Sequence, residues 1–286
     1  MTESVAAPLF DSSMLSLRSR LAVRLAQPPL LRPAAFLLAL LLVAPRLAPY
    51  APNAVDLAGQ LQGPSWHHWL GTDDVGRDVL SRILTGGQAV LSLAMPAVLA
   101  SSLLGVSFGV VAGYVGGWLD TVLAGLLNAF LALPNLVVSL ALLAAVGPGR
   151  LGLVTALAVA GWPTFARLAR IQALALRQRT FVVAAECSGS SPGRILARHM
   201  LPNMLDSLVV LGALHLGSTL LGVATLSFLG LGDQPPSANW GTMLSASQPF
   251  FRSHPLLMVF PGISLALTIL ATHALADALQ DALRPN

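Results

Sequence analysis

Long apolar runs separated by polar stretches dominate the chain. A helix rises 1.5 Å per residue, so about 20 apolar residues cross a hydrocarbon core about 30 Å thick. Read this way, the pattern predicts six spans, over about 30–47, 91–114, 119–146, 151–166, 204–231 and 255–275. The first is short. Pro33 to Pro45 is bracketed by Arg32 and Arg46, so the flanks must extend it while both Arg side chains reach back to the interface. The second carries Gly105, Gly109 and Gly113 at every fourth position, a face that admits a close helix neighbour. The third holds Asn128 and Asn135 around Pro134, which frees a carbonyl that must find another partner. The fourth is expected to run on as helix through Arg167, Arg170 and Arg177, and His215 falls in the middle of the fifth.

The polar stretches divide into two sets. One contains a tail, residues 1–29, in which MLSLRSRLAVRLA has the pattern of a helix lying on a membrane surface. With it go the loop 167–203 and the short C-terminal end. The other contains residues 48–88, with the Asp73, Asp74, Arg77, Asp78 cluster, and residues 232–254. Eleven Arg residues fall in the first set or against it, and five (Arg46, Arg77, Arg82, Arg150 and Arg252) fall in the second or at span ends on its side, so the positive-inside rule puts both termini and the 167–203 loop in the cytoplasm. Within that loop, Phe181 to Asn203 reads as two short helices. Gly189 is the break, Ser191 an N-cap with Pro192 in the first turn, and Pro202 the end of the second helix.

Composition sharpens the class. The chain is 55% hydrophobic and 10% charged, with a mean hydropathy of +0.74, against about 25% charged residues in soluble domains. It is a multi-pass membrane protein of all-α fold. The net charge of +4 comes from Arg alone; the chain has no Lys. A P-loop, which needs a Lys on the phosphates, cannot be built. Nothing in the distribution of Arg calls for nucleic acid. The single Cys187 rules out an internal disulfide and a cysteine zinc site.

The segments HWLGTDDVGRDVLSRIL, WPTFARLAR, FVVAA with Ser188-Gly189 and LPN, SFLGLGDQPP, NWGTML and DALQDALRP occur in an order that resembles the second permease subunit of the dipeptide/oligopeptide/nickel branch of ABC importers. The resemblance covers roughly residues 48–285. It implies the type I permease fold, with six transmembrane helices, in the inner or plasma membrane. It implies a homologous second permease, two ATP-binding cassette subunits holding ATP and Mg²⁺, and an extracytoplasmic substrate-binding protein. The chain itself would perform no chemistry and hold no metal or cofactor. The coupling loop that docks the ATPases would comprise Val183, Ala184, Ala185, Glu186, Gly189, Ser191, Arg194, Arg198, Leu201 and Pro202. Two positions depart from the family pattern. Val183 stands where the loop Glu is expected, with Glu186 one turn later, and Val223 stands where many peptide permeases carry Glu. LRQRTFVVAA and Val223 look closer to nickel or metal-chelate members, so of the two substrate classes the family implies, a nickel or metal chelate is expected over peptides.

Polar residues inside spans should face a wet pathway or a helix neighbour. Asn128, Asn135, His215, Ser218, Thr219 and Thr225 are therefore the candidates for lining a pathway, or for interhelical hydrogen bonds. The acidic cluster is expected to pair with Arg and shape a loop cap, and the adjacent His67 and His68 lack the spacing of a helical metal site. Two rival classes make different demands. An ion-coupled secondary transporter would need buried carboxylates, and Asp120, Asp206 and Asp277 sit near span ends. An intramembrane hydrolase would need a paired nucleophile and base, and Ser227 with His215 lacks a recognisable setting for that.

Overall fold

The computed structural model describes residues 38–39 and 41–283; the helix Trp240–Ser247 lies inside the stretch 232–254 expected as a polar connection. The 1–29 tail and half of the expected first span lie outside the described residues. Eight helices of eight residues or more follow, numbered here in chain order: α1 (Val79–Val115), α2 (Gly117–Leu131), α3 (Asn135–Val146), α4 (Arg150–Arg177), α5 (Thr180–Cys187), α6 (Pro192–Phe228), α7 (Trp240–Ser247) and α8 (Leu256–Leu283). Among the described residues, α1, α4, α6 and α8 are each long and apolar enough to cross a membrane. The pair α2 and α3, bent by 95°, counts as a fifth crossing if taken as one broken span.

Three further local features differ from the expectation. The helix carrying the span 91–114 begins earlier, at Val79, because Asp78 caps it by accepting from the Ser81 N–H at 2.8 Å. The third span is not straight. Proline disfavours helical conformation in the residue before it, and the chain turns sharply through Ala132–Pro134 before α3 restarts. The third difference concerns Pro202, which does not end a helix. Pro192–Ile195 continues through one π turn, Leu196–Met200, into Leu201–Phe228. Pro202 has no N–H to donate and its ring would crowd the carbonyl four residues back. The backbone accommodates this by opening a wider turn just before it, in which the Leu201 N–H reaches Leu196 O.

The centre of the molecule is the contact of α1 with α4. Gly105, Gly109 and Gly113 let the two backbones close up. A Cβ added at Gly105 would lie 2.7 Å from Phe165 Cβ, at Gly109 2.9 Å from Ala169 Cβ, and at Gly113 2.7 Å from Ala173 Cβ. No such contact is tolerable, so this face depends on the missing side chains. Around it, a core of Val90, Leu93, Leu153, Phe165, Leu220 and Trp240 joins α1, α4, α6 and α7. A second core at one end, built on Val110, Ala173, Val182, Ile195, Met200 and Met204, seats α5 against α1, α4 and α6.

The opposite end is closed by a polar cap. Arg82 is buried, and its guanidinium donates to Pro52 O (3.0 Å), Asn53 Oδ1 (3.2 Å), Pro236 O (3.4 Å) and Ser237 O (3.3 Å). The cap thus ties the loop after the first span to the loop before α7. Two of the acidic cluster pair with Arg as expected, Asp73 with Arg77 (2.6 Å) and Arg82 (3.5 Å) and Asp74 with Arg77 (3.7 Å), whereas Asp78 pairs with His68 Nδ1 (2.9 Å). Among the described residues, no group of His, Cys, Asp or Glu is placed to hold a metal ion. Trp240 Nε1 donates to Ile83 O at 3.0 Å, and Arg150 bridges Asp233 (2.9 Å) and Ser92 (2.8 Å) at the same end.

Candidate functional site

Five of the six polar span residues converge. A cavity of about 300 Å³ opens between α3, α4 and α6, bordered by Asn135, His215, Ser218, Thr219 and Thr225 together with Ser139 and apolar neighbours. Asn128 is not among them; it is exposed on α2, beyond the bend. The 95° turn separates the two asparagines, placing Asn135 at the mouth of α3 where it reaches the cavity.

The hydroxyls here are already committed to their own helix. Ser218 and Thr219 donate to His215 O (2.9 and 2.8 Å), and Thr225 donates to Leu221 O (2.8 Å). Their remaining lone pairs face the cavity side as acceptors. His215 is held edge-on against Phe165, with ring centroids 5.1 Å apart. Its ring lies over Gly161 of α4: a Cβ there would meet His215 Nε2 at 2.5 Å and Ser101 Oγ at 2.7 Å. Gly161 therefore makes the room that lets an imidazole stand at the cavity wall. No Asp, Glu or Arg borders the cavity. Val223 lies elsewhere, fully buried in the core.

The second site is the surface of α5 and the start of α6. Val182 is buried and anchors α5, while Phe181, Val183 and Ala184 are exposed. Gly189 turns the chain with φ +76°, and nothing lies within 4 Å of the position its Cβ would take. Ser191 occupies the N-cap position without a side-chain hydrogen bond. Arg194 and Arg198 are exposed and form no ion pair among the described residues. Glu186, one turn from Val183, accepts from Tyr114 OH at 2.9 Å. Leu201 and Pro202 lie at the π turn, where they shape α6 rather than the exposed tip.

A half-open, largely apolar cavity carrying a few polar groups on the flank of a bundle, joined by long helices to an exposed helix seated at one end, suits a transport subunit. Residues 105–286 match the family described as the inner membrane component of binding-protein-dependent transport systems. This chain belongs to that family. The permease is 38% identical over 243 residues to the dipeptide transport system permease protein DppC of Alkalihalophilus pseudofirmus, covering 85% of this chain and 80% of that one. It is also 38% identical over 251 residues to the glutathione transport system permease protein GsiD of Pectobacterium atrosepticum, covering 87% and 83%. Among solved structures, inward-facing conformations of the MetNI methionine ABC transporter superpose with a TM-score of 0.54 at 18% identity, over 69% of this chain and 96% of that one. The likeness is one of fold, that of an ABC importer permease. The permease is a multi-pass inner-membrane transport component and not an enzyme. The hydrolase alternative also fails on geometry, since Ser227 lies twelve residues from His215 on one helix, about 18 Å away.

Sequence reasoning missed Gly161, Ser139 and the Tyr114–Glu186 contact. Gly161 carried a signal, a glycine inside an apolar helix next to Trp162 and Pro163, that periodicity alone does not interpret. The Tyr114–Glu186 contact joins residues 72 positions apart and had no local signature.

Proposed function

We propose that this chain is one permease subunit of an ATP-driven importer of peptides. It pairs with a homologous second permease, two ATPase subunits that bind ATP and Mg²⁺, and an extracytoplasmic binding protein. The observation that carries this reading is the pairing of an uncharged polar cavity between α3, α4 and α6 with an exposed, firmly seated helix, α5, at one end of the same bundle. The cavity would be this subunit's wall of the pathway, completed by the second permease on its open side. Hydroxyls, an amide and an imidazole in an uncharged lining can meet the donors and acceptors of a peptide backbone without selecting one side chain. The relatives that transport dipeptides and glutathione favour the same substrate class. The metal-chelate alternative loses part of its support, because Val223 is core rather than lining.

The Arg asymmetry supports a cytoplasmic placement of α5 and both termini. ATP binding would then draw the ATPases together, move α5, and tip the helices between two packed arrangements that expose the cavity to opposite sides. Docking would rest on Phe181, Val183 and Ala184 for apolar contact and on Arg194 and Arg198 for charge. The test is reconstitution of the purified complex with its binding protein and ATP. Uptake of a labelled dipeptide or glutathione is expected, and His215→Ala should reduce uptake while leaving the subunits assembled. Uptake of nickel chelates without peptide uptake would overturn the substrate assignment.

A further inference from the structure

At the α5 end, the corner between α1 and α2 is fastened to the corner between α4 and α5 by three polar contacts. Tyr114, at the end of α1, donates to Glu186 of α5 at 2.9 Å. Arg177, the last residue of α4, donates to Val115 O at 3.4 Å and passes close over Gly116. Arg170 of α4 forms a two-point ion pair with Asp120 in the first turn of α2, one arm of it 2.8 Å from Asp120 Oδ2. Paired guanidinium and carboxylate hold direction as well as distance.

These contacts lead somewhere. From its corner α2 runs to the bend at Pro134, and Asn135, the first residue beyond the bend, borders the polar cavity. A displacement of α5 that pulls on Glu186 is therefore passed to the α1–α2 corner, along α2 and into the cavity wall. The buried anchor Val182 sits in an apolar core that it shares with Val110 of α1 as well as α4 and α6; among the described residues the Tyr114–Glu186 bond is the polar link from α5 itself to α1.

We infer that Tyr114 and Glu186, backed by Arg177 and Asp120–Arg170, form a latch that transmits motion of α5 to α2 and the cavity, making Tyr114 and Glu186 positioning residues for transport. The inference rests on α5 being the ATPase-docking element. It also assigns Glu186 a use that differs from the docking role expected of a loop carboxylate: it accepts from this chain's own Tyr114.

The test measures ATPase co-purification, ATP hydrolysis and peptide uptake in reconstituted complexes. Tyr114→Phe removes only the donor. It is expected to retain the ATPases and their hydrolysis while lowering uptake per ATP by about fivefold, the scale of one ordinary lost hydrogen bond. Glu186→Ala should do the same, Glu186→Gln should restore uptake because the amide oxygen still accepts, and the double variant Tyr114→Phe/Glu186→Ala should be no worse than the weaker single one. Wild-type uptake per ATP in Tyr114→Phe would overturn the latch. Loss of the ATPases from that variant would also overturn it, by showing a contact that only supports docking. The docking reading is tested apart from this by Ala184→Asp; full ATPase attachment there would refute docking on α5, whatever Tyr114→Phe does.

Discussion

Gly189 and Gly193 offer a matched pair of perturbations. Neither has any atom within 4 Å of an added Cβ, so a larger side chain meets no steric obstacle at either position. They differ in backbone: Gly189 sits at φ +76°, and Gly193 lies in the first turn of α6 with no such constraint. A β-branched residue at positive φ costs about 1–3 kcal/mol, which corresponds to a loss of about 5- to 150-fold in the population of the native turn. Gly189→Val is therefore expected to re-aim α5 relative to α6 without disturbing the spans, whose contacts lie elsewhere. Asn, which tolerates left-handed conformation, should cost least, Ala more and Val most. Gly193→Val meets no backbone strain and should gain a few tenths of a kcal/mol of helix propensity. The assay is pull-down of the ATPases with uptake per ATP across the four variants, at matched membrane levels. Transport falling in the order Asn, Ala, Val at position 189, and barely at 193, is the expected result. Equal effects at 189 and 193, or full transport in Gly189→Val, would refute the argument that the turn conformation sets the aim of α5.

Other outcomes follow from single contacts. Gly109→Val should prevent the α1–α4 contact, because the added atoms collide with Ala169 and the α4 backbone; the protein should be lost from the membrane fraction on immunoblots. Arg82→Ala leaves Asp73 short of a partner and four cap acceptors unpaired, a loss of about 3–5 kcal/mol expected to lower thermal stability in detergent. Gly161→Leu should push His215 off the cavity wall and cut uptake at normal expression. Single cysteines at Ser65 and Ser237, in a Cys187→Ser background, should react with an impermeant thiol reagent from outside, and one at Ser191 should not; the reverse labelling would invert the proposed topology.

Four of the six expected crossings were legible because hydropathy over about twenty residues is a strong signal, and the glycine stripe at 105, 109 and 113 announced its own partner-facing side. The polar span residues were legible for a related reason: a hydroxyl or imidazole in a hydrocarbon setting has few places to go, and His215, Ser218, Thr219, Thr225 and Asn135 share one cavity. Asn128 misled because spacing alone cannot see a 95° bend. Pro202 misled for a different reason. A proline normally ends a helix, but here one π turn absorbs it and the helix continues for a further 26 residues to Phe228. The latch between Tyr114 and Glu186 was invisible, since it exists only once α1 and α5 are brought together by the small-residue packing of α1 on α4.

The most direct measurement is ATP-driven peptide uptake into proteoliposomes carrying the assembled complex, comparing the native chain with Ser218→Trp, which places the largest side chain in the cavity between α3, α4 and α6. The account predicts accumulation that requires ATP and the binding protein in the native complex, and loss of uptake with the ATPases still attached in Ser218→Trp. Uptake that proceeds without ATP, or that is undiminished in Ser218→Trp, would contradict it.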